Sequence, residues 1–130
     1  MDGEGLLRKL QVKPGARMRL IGAPPEIEAM LGQVATLTPA DQPCDAALAF
    51  CRGSDEVAGL AAQAMKGLAA DGPLWFAYRK GAAAKTSGLS RDVGWDPVRQ
   101  LGYDTVRSIA FDGEWTGLRF REAWRIRPRA

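Results

Sequence analysis

Histidine is absent from this sequence, and cysteine occurs only twice. Without histidine the chain lacks the side chain that most often acts as a general base, so Ser-His and Cys-His nucleophile systems are excluded. Two cysteines alone also cannot complete an ordinary structural zinc site. Any catalysis must therefore use carboxylates, lysine, tyrosine or cysteine.

The two cysteines, Cys44 and Cys51, lie on either side of the apolar segment "DAALAF". If this segment is a strand, seven residues rising about 3.3 Å each hold the two thiols roughly 23 Å apart. A disulfide requires Cα atoms less than about 7 Å apart. The sequence therefore predicts two free thiols.

Long hydrophobic runs are also missing. The start "MDGEGLLRKLQV" places acidic residues before any apolar stretch, and this pattern fits neither a signal peptide nor a membrane span. We expect a cytoplasmic protein that does not enter a membrane. A chain of 130 residues can bury one core without disulfides or metals, so we expect a single domain over residues 1–130. Residues 1–12 would form an N-terminal arm and residues 123–130 a basic tail.

Positive charge is concentrated in the second part of the chain. Residues 1–78 carry 7 basic and 9 acidic side chains, whereas residues 79–130 carry 11 basic and 6 acidic ones. An anionic partner should therefore prefer the C-terminal part. The simpler alternative is a basic, solvated surface that only aids solubility.

Apolar segments and helical patterns alternate along the chain. The runs "ARMRLIG", "DAALAFC" and "LWFAY" are typical of strands, and the last two are continuous enough to be covered on both faces. Proline at the start, glutamates in the first turn and a closing glycine predict a short helix in "APPEIEAMLG". The predicted strands cover 16–22, 33–37, 45–51 and 71–78, the predicted helices 25–31, 54–70 and 90–101, and a hairpin with "DG" at its turn follows.

This order predicts an α/β fold. Strands that alternate with helices form a parallel sheet with helices on both faces, joined by right-handed crossovers. The C-terminal hairpin adds an antiparallel pair at one edge. We expect a three-layer domain with the strands "RMRLIG", "DAALAF" and "LWFAY" as neighbours.

Several segments resemble known proteins. The sequences "CDAALAF", "LAADGPLWFAY" and "LGYDTVRSIAFDGEWTGLRFR" resemble the fourth strand, the fifth strand with its preceding turn, and the final hairpin of S-adenosylmethionine-dependent methyltransferases. This resemblance covers roughly residues 12–121 and implies a Rossmann-like fold. More specifically, "VKPGARMRLIGAP", "LWFAYRKGAAAKTSGLSRD" and "WTGLRF" resemble a family of short bacterial proteins described by a domain of unknown function.

The chain departs from the methyltransferases at the two places that hold their cofactor. A glycine-rich loop after the first strand and an acidic residue after the second strand are expected. Here the first loop is "IGAPPE", and the second strand ends in "TLTPAD" with no acid before Asp41. Only about 23 residues separate the first strand from "DAALAF", so that half of the sheet should be shortened. We therefore expect no cofactor, and no tight binding of S-adenosylmethionine.

The candidate site lies where the parallel strands end, because ligands of open α/β sheets bind outside the carboxyl ends of the strands. Helices that begin near two serines there would offer free amide donors to an anion. The alternative is a solvated connection. The predicted ligand-binding residues are Arg52, Ser54, Arg79, Lys80, Lys85, Ser87, Gly88 and Ser90.

Other residues have two interpretations. Asp92 and Asp96 are spaced to share a helix face as an acid-base pair, although first-turn acids that complement the helix dipole are the simpler interpretation. Trp75 and Phe76 favour the core, whereas Trp95, Trp115 and Trp124 could be exposed contacts. Arginines at nearly every second position could follow a phosphate backbone or protect a solvated hairpin edge. These are Arg119, Arg121, Arg125, Arg127 and Arg129.

Three functional hypotheses follow from these patterns. The first is a non-catalytic Rossmann-like module that binds a small anionic ligand or a protein partner. The second is a degenerate enzyme of the methyltransferase type, and the third is a nucleic-acid-binding accessory protein. The absent glycine loop favours the first hypothesis over the second. The oligomeric state is not encoded legibly in the sequence.

Overall fold

The computed structural model describes residues 2–80, 87–111 and 114–126. Its described strands form one six-stranded sheet with the order β2-β1-β3-β4-β6-β5. The strands are β1 (Arg17–Ile21), β2 (Thr36–Leu37), β3 (Ala46–Phe50), β4 (Leu74–Arg79), β5 (Tyr103–Ala110) and β6 (Trp115–Glu122). The helices are α1 (Gly3–Lys9), α2 (Pro25–Gly32), α3 (Val57–Met65), α4 (Asp96–Arg99) and α5 (Ala123–Ile126), with a short 3-10 turn at Ser54–Glu56.

The strand pairing confirms the predicted α/β architecture. Strands β2, β1, β3 and β4 are parallel neighbours, and β6 lies antiparallel between β4 and β5 at one side of the sheet. The connection between β1 and β3 contains α2 and the two-residue strand β2. The shortening predicted for this half of the sheet is therefore observed.

Helices cover both faces of the sheet because β3 and β4 are apolar on both sides. Leu48 and Phe50 point toward α1 and α2, whereas Ala47 and Ala49 point toward α3 and α4. All five residues of β3 are buried. Burial of apolar surface on two faces is the main stabilising contribution of this three-layer arrangement.

Two predicted helices are shorter than expected. The helix predicted over 54–70 begins with the 3-10 turn and ends at Met65, since Lys66 adopts an extended conformation. The helix predicted over 90–101 was wrong for most of its length, because only Asp96–Arg99 is helical. Gly94 has a φ of 99°, which no right-handed helix contains.

The N-terminal arm predicted over residues 1–12 contains a helix. Helix α1 begins at Gly3 because the Asp2 side chain accepts a hydrogen bond from the Gly5 amide at 2.7 Å. The basic tail predicted over 123–130 begins with α5, and its last four residues lie outside the described part of the chain.

The aromatic side chains separate clearly by exposure. Trp75, Phe76, Trp95 and Trp115 are buried, so the interpretation of Trp95 and Trp115 as exposed contacts was wrong. Trp124 is 63% exposed. Cys44 and Cys51 are free and buried, as predicted. Every helix in the described ranges is too short or too polar to traverse a bilayer.

Candidate functional site

The carboxyl ends of β1, β3 and β4 lie side by side and place several predicted site residues in one region. We call this region the carboxyl edge and define it by Gly22, Arg52–Ser54, Arg79–Lys80 and Ser87–Gly88. The first three segments lie at or directly after the ends of β1, β3 and β4. The fourth, Ser87–Gly88, contacts Gly53 and Ser54. This is the position at which ligands of open α/β sheets bind.

Two arginines converge on one aromatic ring at the carboxyl edge. The guanidinium carbon of Arg52 lies 5.6 Å from the centroid of the Trp115 ring, and that of Arg79 lies 5.3 Å from it. Arg79 also forms an ion pair with Glu114, with 3.4 Å between Nε and Oε2 and both side chains about half exposed. Cation–π contacts thus hold both guanidinium groups against the same ring.

Arg52 also covers the loop that follows β1. Its Nη2 donates a hydrogen bond to the Gly22 carbonyl oxygen at 3.0 Å. A Cβ atom placed on Gly22, whose φ is 68°, would lie 3.1 Å from Nη1 of the same arginine. The backbone after β1 is therefore approached by the chain's own guanidinium at the place where methyltransferases bring their cofactor close.

The start of α2 supplies few donors to this loop. Pro24 is the N-cap residue and Pro25 the first helical residue, and neither has an amide hydrogen. The Ile27 and Glu28 amides both donate back to the Pro24 carbonyl oxygen. An anion at this helix end would therefore find fewer amides than at an ordinary helix N-terminus.

The loop after β4 returns to the carboxyl edge at Gly88. With a φ of 76°, Gly88 packs so closely on Ser54 that an added Cβ would lie 2.8 Å from the serine Oγ. The Ser87 hydroxyl accepts a hydrogen bond from the Leu89 amide at 3.2 Å. The structure therefore brings Ser54, Ser87 and Gly88 together.

One other predicted site residue, Ser90, has a different position. Ser90 does not begin a helix, because the described helix starts at Asp96 and Gly94 between them has a φ of 99°. The Ser90 hydroxyl accepts hydrogen bonds from the Asp92 and Val93 amides within this turn. The Ser90 carbonyl oxygen accepts from Nε1 of buried Trp95 at 2.7 Å, which makes this residue part of the support of the core. The predicted helix N-terminus at Ser90 was therefore wrong.

The remaining predicted cations are Lys80 and Lys85. The Lys80 amide donates to the Glu114 carbonyl oxygen at 3.0 Å and continues the pairing of β4 with β6. Lys85 lies outside the described residues. The sequence prediction missed Glu114 and Trp115, because β6 reaches this edge only through the antiparallel hairpin.

Cys51 directly precedes Arg52 and carries a side chain that could act as a nucleophile. Its thiol is buried and donates to the Gly53 carbonyl oxygen with 3.2 Å between the atoms. Burial raises the pKa of this thiol to about 11, so it is protonated at neutral pH. A protonated, inaccessible thiol is a poor nucleophile.

The aspartate pair and the arginine stripe differ from their sequence interpretations. Asp92 precedes α4 and is not on a common helix with Asp96, so the predicted shared face was wrong. Arg121 makes two hydrogen bonds to Asp71, at 2.8 and 2.7 Å, and Arg125 pairs with Glu122 at 3.0 Å. Arg127 and Arg129 are outside the described ranges.

Comparison with known proteins identifies the fold. No protein-family model matches the sequence, and no curated protein matches it either. Several solved structures are similar to it. A SAM-dependent methyltransferase from Aquifex aeolicus aligns with a TM-score of 0.61 at 12% sequence identity, and the alignment covers 93% of this chain and 89% of the methyltransferase chain. The N-methyltransferase NodS from Bradyrhizobium japonicum WM9 has a TM-score of 0.54 at 13% identity, covering 92% and 93%. The chain therefore has the Rossmann-like fold of SAM-dependent methyltransferases, as the sequence resemblance predicted.

Proposed function

We propose that this chain is a non-catalytic Rossmann-like module that binds a small anionic ligand, such as a phosphate or carboxylate, at its carboxyl edge. The observation that carries the proposal is the convergence of Arg52 and Arg79 on Trp115, at 5.6 and 5.3 Å. Among the described residues, one carboxylate pairs with these two guanidinium groups, that of Glu114. Glu56 also lies at this edge, since its carboxylate accepts the Arg52 amide at 2.9 Å. The Arg52 guanidinium group itself donates to the Gly22 carbonyl oxygen and not to a carboxylate.

The arrangement suits an anion because both cations are already held in place. A guanidinium group offers a planar set of donors that matches carboxylate and phosphate oxygens in pairs. Stacking on Trp115 reduces the side-chain freedom that binding would otherwise remove. An anion that binds either guanidinium group would gain a charge-assisted hydrogen bond.

A non-catalytic role is supported by the protonation and burial of two potentially reactive side chains near this edge. Cys51 has a pKa of about 11, and burial also raises the pKa of Tyr78, which ends the buried part of β4. Neither group would supply an anionic nucleophile or base at neutral pH. This supports a binding role for the edge.

A methyltransferase-type enzyme is the second candidate, and the fold shared with SAM-dependent methyltransferases favours it. Three features oppose it: the Arg52 side chain on Gly22, the two prolines at the start of α2, and the absence of an acid directly after β2. Calorimetry with S-adenosylmethionine separates the candidates. We expect no heat of binding, whereas a low-micromolar dissociation constant would favour the enzyme.

Nucleic-acid binding is less well supported. Arg119 donates to the Gln11 side chain, and Arg121 and Arg125 contact Asp71 and Glu122. A row of arginines bound to the chain's own carboxylates has less charge to offer a phosphate backbone. Salt-dependent, sequence-indifferent binding of DNA or RNA would overturn this ranking.

A protein partner would need to present its own carboxylates to the carboxyl edge.

The anion proposal is tested by thermal melting with phosphate, sulfate, pyrophosphate and nucleotides. We expect at least one anion to raise the melting temperature, since a ligand at 100 times its dissociation constant adds about 2.7 kcal/mol to the free energy of unfolding. Arg52→Met and Lys80→Ala should each reduce that gain. A desolvated charged contact contributes on the order of 1 to 3 kcal/mol, and a solvated one less.

The control variant is Arg107→Met, which removes the same charge from an exposed position on β5. It should leave the gain from anions unchanged. If no anion stabilises the wild type, or if Arg52→Met gains as much as Arg107→Met, the carboxyl edge is only a solvated surface.

A further inference from the structure

A cavity lies at the end of the sheet opposite the carboxyl edge, where β1 and β3 begin; we call it the amino-end cavity. It has a volume of about 420 Å³, within the range of roughly 300 to 1,000 Å³ typical of small-molecule sites. It does not overlap the carboxyl edge, since none of the residues of that edge line it. Its apolar walls are formed by Val12, Pro14, Ala16, Ala46 and Pro73.

The polar groups around this cavity leave one unmatched positive charge. Asp45 lines the cavity, but its carboxylate already pairs with Arg17 at 3.2 Å and accepts the Arg17 amide at 2.9 Å. Lys13 also lines the cavity and is exposed, and no described carboxylate pairs with it. An occupant with one negative charge would therefore complement the lining.

Gln11 also lines the cavity, and its side chain carries a donor. Gln11 follows the last turn of α1 and adopts the left-handed conformation, with a φ of 61°. Glycine usually occupies this position. The Gln11 amide donates to the Arg8 carbonyl oxygen and the Val12 amide to that of Leu7, both at 3.1 Å, which is the hydrogen-bond pattern of a helix C-terminus closed by glycine.

The Gln11 side chain has a fixed orientation despite its exposure. Its Oε1 accepts a hydrogen bond from Nη1 of Arg119 on β6. With the oxygen engaged, the side-chain amide nitrogen is the end that remains to donate. An ammonium and a carboxamide nitrogen together can hold the two oxygens of one carboxylate.

We infer that this amino-end cavity binds a monocarboxylate with a small apolar body. The apolar body would occupy the space between Val12, Ala16, Ala46 and Pro73, and the carboxylate would face Lys13 and Gln11. The apolar walls contribute most of the affinity, and the two donors determine the preference for a carboxylate over a neutral group.

The test is a titration followed by amide-resolved ¹H–¹⁵N spectra, with hexanoate and 3-phenylpropanoate as probes. Hexanamide and 3-phenylpropanamide are the matched neutral compounds. We expect saturable shifts of the Val12, Lys13 and Ala46 amides, with weaker binding of the neutral amides. The Arg52 and Lys80 amides at the carboxyl edge should not shift. Absence of saturable shifts, or equal affinity for acid and amide, would overturn the inference.

Variants separate binding from folding. Lys13→Met should weaken acid binding up to about fivefold, since the ion pair stays in water, whereas Lys66→Met should not. Gln11→Gly suits the left-handed backbone, so it should keep the melting temperature while it weakens binding. Ala16→Leu should block the cavity; unchanged binding in all three cavity variants would also overturn the inference.

Discussion

Replacement of Arg19 tests how the parallel half of the sheet is held to its covering helix. This arginine lies in β1 and is only 1% exposed. Its guanidinium group donates to the carbonyl oxygens of Gln63 at 2.8 Å and Gln42 at 2.5 Å, and also to that of Lys66. The cation therefore caps the C-terminal end of α3, where the helix dipole is negative.

The expected effect of Arg19→Met follows from the carbonyl groups left behind. Four buried or half-buried acceptors lose their partner, the three above and the Ala64 carbonyl oxygen at 3.4 Å, and each unsatisfied acceptor costs about 1 kcal/mol or less. Removal of a buried charge, whose Nε lacks an acceptor in the described structure, offsets part of this loss. We expect the free energy of unfolding to fall by about 3 kcal/mol, or ~10 °C in melting temperature.

Urea denaturation and thermal melting measure this effect. Arg19→Lys should also be destabilised, because an ammonium group cannot reach carbonyl oxygens in the same forked geometry. Arg107→Met on the exposed face of β5 should change stability by less than about 0.5 kcal/mol. If Arg19→Met is as stable as the wild type, the cost of burying this charge equals the value of its hydrogen bonds, and the reasoning is refuted.

Three further predictions concern single groups. The hydrogen bonds from Arg121 lower the pKa of Asp71, so the stability that this carboxylate adds should be complete above its unfolded pKa of about 4 and disappear as the pH falls through its folded value. In urea titrations the stability that Asp71→Asn loses relative to the wild type should therefore shrink as the pH falls below about 4, and a loss independent of pH would contradict this. The buried Cys51 thiol, with a pKa of about 11, should react with a thiol reagent only on unfolding, so rapid labelling of the native protein would be contrary evidence. Gly88→Ala should destabilise the fold by about 1 kcal/mol or more in thermal melts, because of its φ of 76° and its contact with Ser54, and an unchanged melt would show that the loop rearranges freely.

The strands were predictable because their signal is local. "DAALAF" and "LWFAY" are continuous apolar runs, and such runs identify β3 and β4 without knowledge of their neighbours. The failed helix over 90–101 shows the limit of local patterns. Its Ser90 was interpreted as a helix cap, whereas the same hydroxyl closes a turn before Gly94.

The contacts that define the sites were less predictable because they join distant segments. The sequence pattern predicts Arg19 as a polar, outward-facing residue of an alternating strand. In the structure it is buried among carbonyl groups of residues that lie 23 to 47 positions later in the sequence. Trp115 reaches Arg52 and Arg79 only because β6 inserts beside β4. Sequence patterns located the carboxyl edge, but not the ring on which its two arginines meet.

The most direct test of anion binding at the carboxyl edge is an amide-resolved titration with pyrophosphate. Binding there predicts saturable shifts of the Arg52, Gly53 and Lys80 amides, and loss of these shifts in Arg52→Met but not in Arg107→Met. An absence of shifts at these amides, or identical shifts in the two variants, would contradict the proposal that this edge is an anion site.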